Sequence, residues 1–134
     1  MNSPSEDIKD MLVADSSLSL TFATDLFIGR EPTLPKNCVT IFDTAERAPQ
    51  LTLGGKDNTE NYFYPSIQIR VRNIDYRDGW DLIQDIRTSL HGRAQETRNG
   101  TLYSVIYCAS GPALLDWDEN NRVRFIINFN IQRR

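Results

Sequence analysis

The acidic run Asp116-Trp117-Asp118-Glu119-Asn120-Asn121 comes closer to a metal-binding motif than any other part of this chain. It begins like an EF-hand calcium loop, which places carboxylate or amide oxygens at its first, third and fifth positions. That motif also requires glycine at the sixth position and a bidentate glutamate at the twelfth, where this chain has Asn121 and Ile127. We therefore interpret the run as a polar turn and predict no metal site.

Three further patterns resemble catalytic or binding motifs without completing them. Gly54-Gly55-Lys56 lacks both the upstream glycine and the Ser or Thr after the lysine that a phosphate-binding loop requires. His91, the only histidine, falls at a predicted helix C-terminus, where a partial positive charge is favourable. Asp78, Asp81 and Asp85 share a helical spacing typical of a solvated or interface-facing side. We therefore predict no enzyme and no cofactor.

The two cysteines, Cys38 and Cys108, lie in apolar, strand-like contexts. Neither belongs to a CxxC motif or has the spacing to histidine that zinc sites show. We predict that both are buried, reduced thiols.

The strand predicted at 66–72 carries the most informative set of polar side chains. Side chains alternate between the two faces of a strand, so this segment has one apolar and one polar face. The apolar set is Ile67, Ile69 and Val71, and the polar set is Gln68, Arg70 and Arg72. Arginine is enriched at interfaces and pairs bidentately with carboxylates. The polar face is therefore either a subunit interface or an ordinary solvated surface, and the residues alone leave both open.

An amphipathic helix follows this strand directly. Its apolar side chains recur at helical spacing, and they are Tyr76, Trp80, Ile83, Ile86 and Leu90, with Leu82 at the border. Asp75 is placed to cap the N-terminus and Gly92 to end the helix. A one-sided strand that leads into such a helix predicts a helix packed on one face of a sheet.

The remaining elements follow from the same rules. The Ser3-Pro4-Ser5-Glu6 capping box predicts a first helix at 4–14. Strands are predicted at 24–30 and 38–43, which could pair as a hairpin, at 102–109, ended by Ser110-Gly111-Pro112, and at 123–132, with a polar loop at 93–100. The predicted fold class is α+β, a mostly antiparallel sheet of four to five strands with two helices packed on one face.

The segment 44–61 is predicted to be a long loop, because it lacks periodicity and is rich in Gly, Asn and Asp. Loops of this length in compact domains are usually functional or disordered, so it is a candidate for flexibility before docking. The candidate interface therefore includes, besides the polar strand face, Leu51, Leu53, Lys56, Tyr62 and Tyr64.

Length and composition predict one domain over residues 1–134. The chain is 40% hydrophobic and 25% charged, enough to bury about two thirds of its unfolded surface in one core. Its net charge of −3 and pI near 5.1 argue against nonspecific nucleic-acid binding. The N-terminus does not have the composition of a secretory signal, and no apolar run approaches the roughly 18 residues of a membrane span. We expect a protein made in a cytoplasm, with no membrane partner.

The ordered series of motifs resembles the minor capsid and tail terminator proteins of long-tailed bacteriophages. The resemblance covers most of the chain from Leu26 to Ile131 and rests on order and spacing. The motifs are Gly29-Arg30-Glu31-Pro32, residues 35–44, residues 67–72 with Tyr76 and the helix to Gly92, Gly111-Pro112, and Asp118-Glu119-Asn120-Asn121-Arg122 before a Phe-rich strand.

The resemblance implies a structural virion protein of the tail or neck. Such a protein would cap the finished tail tube as a homo-hexameric ring, end tube polymerisation and form the surface that joins the head. Its expected partners are further copies of itself, the tail tube protein and a head-completion or connector protein. DNA would pass through the lumen without specific binding. Another neck or minor capsid protein is a close variant of this hypothesis.

A hypothesis of a different class is a small α+β module outside phage that binds RNA or a small ligand through Arg70 and Arg72. RNA readers normally stack bases on aromatic side chains of the sheet face. The polar face of the central strand offers only glutamine and arginine, which favours the virion hypothesis.

Overall fold

A computed structural model describes residues 1–51, 53–57 and 61–134. The elements are α1 (Pro4–Ala14), β1 (Leu26–Ile28), β2 (Cys38–Gln50), a 3-10 turn (Gly55–Asp57), β3 (Tyr62–Asn73), α2 (Tyr76–Leu90), β4 (Ala94–Arg98), β5 (Thr101–Trp117) and β6 (Val123–Arg133). The predicted flexibility of the 44–61 loop falls partly on residues 52 and 58–60, which lie outside the described residues.

The strands form one curled sheet in the order β1-β2-β3-β6-β5-β4. All neighbours are antiparallel except β1 and β2, which are parallel. The α+β class is confirmed, but the prediction of four to five strands was wrong because the described chain forms six. The predicted hairpin between the first two strands was also wrong, since the connection at 29–37 is long enough to bring the chain back in the same direction.

Both helices begin at the predicted caps. The Ser3 side chain accepts from the Glu6 N–H while the Glu6 carboxylate accepts from the Ser3 N–H at 2.7 Å, which completes the capping box of α1. Asp75 caps α2 by accepting from the Asp78 N–H at 3.0 Å. Past the end of α2, Gly92 has a φ of +89°, a conformation that favours glycine.

One hydrophobic core joins both helices to one face of the sheet. The helices contribute Ile8, Met11, Leu12, Ile83, Ile86 and Leu90, and the central strands contribute Ile67, Ile69, Val71, Phe125, Ile127 and Phe129. The predicted apolar face of the central strand is therefore confirmed. Tyr76 departs from the predicted helix stripe because it is exposed, although its ring still meets Phe125 edge-on at 5.2 Å.

A buried polar cluster ties α1 to the sheet. The Tyr103 hydroxyl donates to the carboxylate of Asp7, and Arg133 Nη1 donates to the same hydroxyl at 3.2 Å. Asn99 also donates to Asp7, at 2.7 Å. Burial, together with the bond to Asp7, raises the pKa of Tyr103. These bonds satisfy a carboxylate that would otherwise be costly to bury.

Three strand boundaries were predicted wrongly. The strand expected to end at Asp43 continues to Gln50, which shortens the predicted 44–61 loop. The loop expected at 93–100 contains β4. The break expected at Ser110-Gly111-Pro112 is absent, because β5 runs through these residues to Trp117 with register irregularities. Proline is tolerated there because β5 has a free outer edge beyond Cys108.

Candidate interface surface

The face of the sheet opposite the helices carries a ladder of neutral polar side chains. Ser66 Oγ on β3 lies 2.9 Å from Asn130 Oδ1 on β6, and Gln68 Nε2 donates to Asn128 Oδ1 at 3.2 Å. Asn128 Nδ2 in turn donates to Ser110 Oγ on β5 at 2.8 Å. These side chains meet because they occupy facing positions on antiparallel neighbours. The predicted polar face therefore exists and bonds largely to itself.

Arg70 lies on this face and keeps part of its hydrogen-bonding capacity. Its Nε donates to Gln68 Oε1 at 2.9 Å, and its guanidinium lies 4.8 Å from the centroid of the Phe42 ring. In the part of the chain that the structure describes, its terminal Nη groups have no hydrogen-bond partner. A half-buried guanidinium, stacked on an aromatic ring and still able to donate, is well suited to pair with a carboxylate or carbonyl of another chain.

Arg72 is placed differently, although it belongs to the same predicted set. Its side chain is 3% exposed, and its Nη1 donates to Glu31 Oε1 at 3.0 Å. Its remaining donors bind carbonyl oxygens of the β1–β2 connection, at Lys36, Thr33 and Pro35. The guanidinium therefore holds that connection against the sheet and is not presented to a partner in this structure.

Two further arginines extend this charged cluster. Arg124 makes a bidentate pair with Asp116, with both N–O distances at 2.7 Å, and also donates to Glu31 at 3.2 Å. Arg122 donates to Asp118 at 2.6 Å. Hydrogen bonds from Arg124 lower the pKa of Asp116. Each of these carboxylates thus has an arginine partner from the same chain.

The predicted calcium-loop look-alike is a turn. Asp118 Oδ1 accepts from the backbone N–H groups of Asn120 and Arg122, both at 2.9 Å. Burial acts to raise the pKa of Asp118, but these bonds and the Arg122 guanidinium outweigh it and lower that pKa. Among the described residues, no group of His, Cys, Asp and Glu side chains could hold a metal ion.

The remaining predicted interface residues gather near the opposite end of the sheet. Tyr64 Oη lies 2.7 Å from Gln50 Oε1. The Arg47 guanidinium lies 4.4 Å from the centroid of the Tyr64 ring. The Tyr62 ring lies 5.3 Å from the guanidinium of Arg134. Both tyrosines are half-buried parts of β3. The structure therefore fixes their rings by contacts within the chain.

The segment between β2 and β3 presents large side chains to solvent. Leu51 is 66% exposed, Leu53 is 97% exposed, and Lys56 is exposed in the 3-10 turn. Isolated exposed leucines are common on protein surfaces. Their position at the end of the sheet where β2 stops leaves them accessible to another protein.

The sequence interpretation missed an exposed apolar stretch on β5. Leu114, Leu115 and Trp117 are 50%, 40% and 50% exposed. An apolar run after Pro112 signals this stretch in the sequence, but Gly111-Pro112 is a pair that usually ends a strand. These residues lie on the open edge of the sheet.

The surroundings of the two cysteines and of His91 indicate structural roles for these side chains. Cys38 is buried, as predicted, and burial raises the pKa of its thiol. Cys108 is only half-buried, so that part of the prediction was wrong, and both cysteines are free. His91 Nδ1 accepts from the Cys108 backbone N–H at 2.9 Å. The imidazole thus covers the outer edge of β5 at Cys108, beyond the last residue that pairs with β4.

No helix within the described ranges is long and apolar enough to span a membrane.

A family model described as bacteriophage tail terminator protein matches residues 12–134. No curated protein matches the chain.

Two solved structures share the fold at low sequence identity. A chain from a structure titled virion of native gene transfer agent particle has a TM-score of 0.69 and 13% identity, covering 98% of this chain and 94% of that one. A second chain, whose title names no function, has a TM-score of 0.55 and 10% identity, covering 98% and 97%. At such identities the likeness shows the fold alone.

Proposed function

Because this chain belongs to the bacteriophage tail terminator protein family, we propose that it caps the tail tube as a ring, ends tube polymerisation and forms the surface that joins the head. The family is structural and not enzymatic, and the chain is a structural protein of the phage tail or neck. The observation that carries the proposal is the family match, which extends from within α1 to the last residue.

The proposed partners are further copies of this chain in a homo-hexameric ring, the tail tube protein and a head-completion or connector protein. Residues 1–134 act as one such domain, in the virion after assembly and in the host cytoplasm during it. Arg70 supports this proposal, because it lies on a self-bonded face and still has donors for another chain. Leu51 and Leu53 offer apolar contact at one end of the sheet, where the tube or the head protein would bind.

DNA would pass through the lumen of the ring without specific binding. The net charge of −3 supports this, because affinity for DNA comes mainly from cationic side chains that neutralise phosphates. The arginine cluster around Glu31 does not change this expectation, because its cations are paired with carboxylates of the same chain.

The test uses phage that lack this gene, complemented with purified protein. We expect tails that grow past their normal length without the protein, and tails of uniform length with a six-fold ring at the head-proximal end when it is added. Negative-stain microscopy measures both. Tails of normal length without the protein would overturn the proposal.

The position of the protein in the virion distinguishes a tail terminator from another neck component. A tag on the C-terminus, located by labelled antibody, should lie at the junction between tube and head, and should also be present on headless tails. Label found only on heads would favour a head-completion protein. Oligonucleotide binding that weakens steeply with salt would favour the RNA-binding hypothesis.

A further inference from the structure

The sheet has two stretches of strand edge that no other described strand covers. β1 pairs with β2 only at Val39–Ile41, so the outer edge of β2 is open from residue 43 to residue 50. β4 pairs with β5 only as far as Val105, and residues 91–93 bond to β5 as far as Cys108. The outer edge of β5 is therefore open from residue 109 to residue 117.

The open edge of β5 has few of the usual protections against pairing: the described residues offer no lysine and no covering strand there, although the register with β6 is irregular at three places. Proteins normally protect exposed edges with lysines, prolines, bulges or a covering segment, because unpaired N–H and C=O groups attract another strand. Residues 113–117 contain one charged side chain, Asp116, which is held by Arg124. The apolar Leu114 and Leu115 beside it are exposed. Pro112 interrupts the donors at one position only.

The two open edges are matched in direction. Within the sheet, β2 and β5 run in opposite senses, because β2, β3, β6 and β5 are antiparallel in turn. A second copy placed beside the first in the same orientation would therefore bring its β2 antiparallel to β5. Antiparallel pairing is the more stable arrangement.

The edges are also matched in position. The centre of the open β2 edge, Arg47, aligns with Tyr64 of β3, whereas the centre of the open β5 edge, Ala113, aligns through Ile126 with Arg70. The two centres are thus offset by six positions along β3, or about 20 Å. With that offset, the short strands β1 and β4 lie beyond the ends of the new pair and do not obstruct it.

We propose that the open edge of β5 in one copy pairs with the open edge of β2 in the next, so that the sheet continues from subunit to subunit. This inference rests on the ring proposed above and names its contact. The two edges differ, so the contact is heterologous, which is the kind of contact that closes into a ring when the rotation between neighbours closes. Main-chain hydrogen bonds join the strands, and the neighbouring chain covers Leu114 and Leu115.

Disulfide trapping tests the pairing directly. Chains with one accessible cysteine are made in a Cys108→Ser background, in which Cys38 stays buried, with Glu46→Cys or Ala48→Cys on β2 and Ala113→Cys or Leu115→Cys on β5. Facing residues of an antiparallel pair are about 4.5–5.5 Å apart between Cα atoms, within disulfide range. We expect a β2 variant mixed with a β5 variant to cross-link under mild oxidation in the presence of tails, and either variant alone to remain uncross-linked. Val13→Cys, on the exposed side of α1, is the control and should not cross-link with either.

The outcomes separate this inference from the proposed function. If rings cap tails but β5 variants cross-link only with one another, or no tested pair cross-links, the β2–β5 pairing is overturned. The proposal of a ring would still stand in that case. Cross-links between β2 and β5 variants with no effect on tail length would support the pairing and overturn the terminator role.

A second measurement uses variants that fold normally. Leu114→Lys with Leu115→Lys places two charges on the open edge of β5, and both side chains are exposed, so the melting temperature should hold. We expect at least a tenfold loss of self-association, measured by analytical ultracentrifugation or by ring counts on tails. The matched control is Val13→Lys, an equally drastic change of an exposed apolar side chain on α1, away from both edges. Unchanged association of the β5 variant would overturn the pairing.

Discussion

Two arginines two positions apart on one strand have different roles. Arg70 lies over Phe42 on the sheet face, whereas Arg72 is enclosed by the β1–β2 connection and paired with Glu31. The alternation of the sequence places both on the polar face, which the structure confirms. It does not show that one of them is covered, because the covering segment is distant in sequence and reaches the strand only through the fold.

The difference predicts opposite effects of substitution. Arg72→Ala leaves Glu31 with one partner, removes the arginine donor from the Lys36 and Pro35 carbonyls and leaves the Thr33 carbonyl with Arg122 alone. It should therefore lower the free energy of unfolding by about 3–5 kcal/mol. Arg70→Ala should change it by less than about 1 kcal/mol. Urea denaturation followed by circular dichroism measures both. Equal losses would contradict the assignment.

The same pair separates folding from assembly. Arg70→Glu should fold normally and fail to cap tails, because it reverses the charge offered to a neighbour while the ladder beside it can re-form. The measurement is tail length in the complementation assay, with Arg77→Glu on the exposed side of α2 as a control for the reversed charge. Normal capping by the Arg70→Glu variant would show that Arg70 lies on an ordinary solvated surface and not in an interface.

Acid should weaken the end of the sheet where β5 turns into β6. The pKa of Asp118 is lowered in the folded state, so its contribution is complete above its unfolded value of about 3.9 and is lost as pH falls through the lower folded value. Thermal unfolding from pH 6 to pH 2.5 should show the wild type losing its advantage over Asp118→Asn below about pH 4. A constant difference across that range would contradict this assignment.

At the scale of elements, the periodicity of the sequence located the helices and the central strands. It did not locate the outer parts of β2 and β5. β3 and β6 alternate cleanly because one face is buried along their length. Residues 43–50 of β2 are all exposed, so no alternation could mark them as strand. β5 crosses Gly111-Pro112, a pair that usually ends a strand, and continues because its outer edge needs no donor there.

The packing of α2 on the sheet depends on one small residue. A Cβ at Gly79 would lie 3.1 Å from Phe125 Cε2 and 3.2 Å from Asn73 Cβ, and the Phe125 ring is held by Tyr76 and Trp80. Gly79→Ala should therefore lower the free energy of unfolding by up to about 2 kcal/mol, because crowding exceeds the gain of about 1 kcal/mol in helix propensity.

The matched control for this packing prediction is Gly111→Ala on β5. A Cβ at Gly111 would meet no atom within 4 Å, so its free energy of unfolding should stay within about 0.5 kcal/mol of the wild type. Urea titration measures both variants. A stabilised Gly79→Ala protein would show that Phe125 can move aside.

At the scale of the whole molecule, stability should fall from the centre of the sheet towards its edges. β3 and β6 are bonded on both sides and carry the core, whereas β4 and residues 109–117 of β5 have one neighbour. Native-state hydrogen exchange should therefore protect β3 and β6 longest. In assembled rings, residues 43–50 and 109–117 should gain protection while β4 does not. Unchanged exchange at those edges on assembly would count against a continuous sheet.

The offset between the two open edges also fixes a geometry for the ring. Each copy would add four full-length strands, about 19 Å across at about 4.8 Å per strand, while stepping about 20 Å along them. For the copies to return to the same level, the strands must incline about 45° to the ring axis, close to the 35–45° typical of closed barrels. The offset between the two edges is thus compatible with a closed ring, which would leave none of these edges open for further growth.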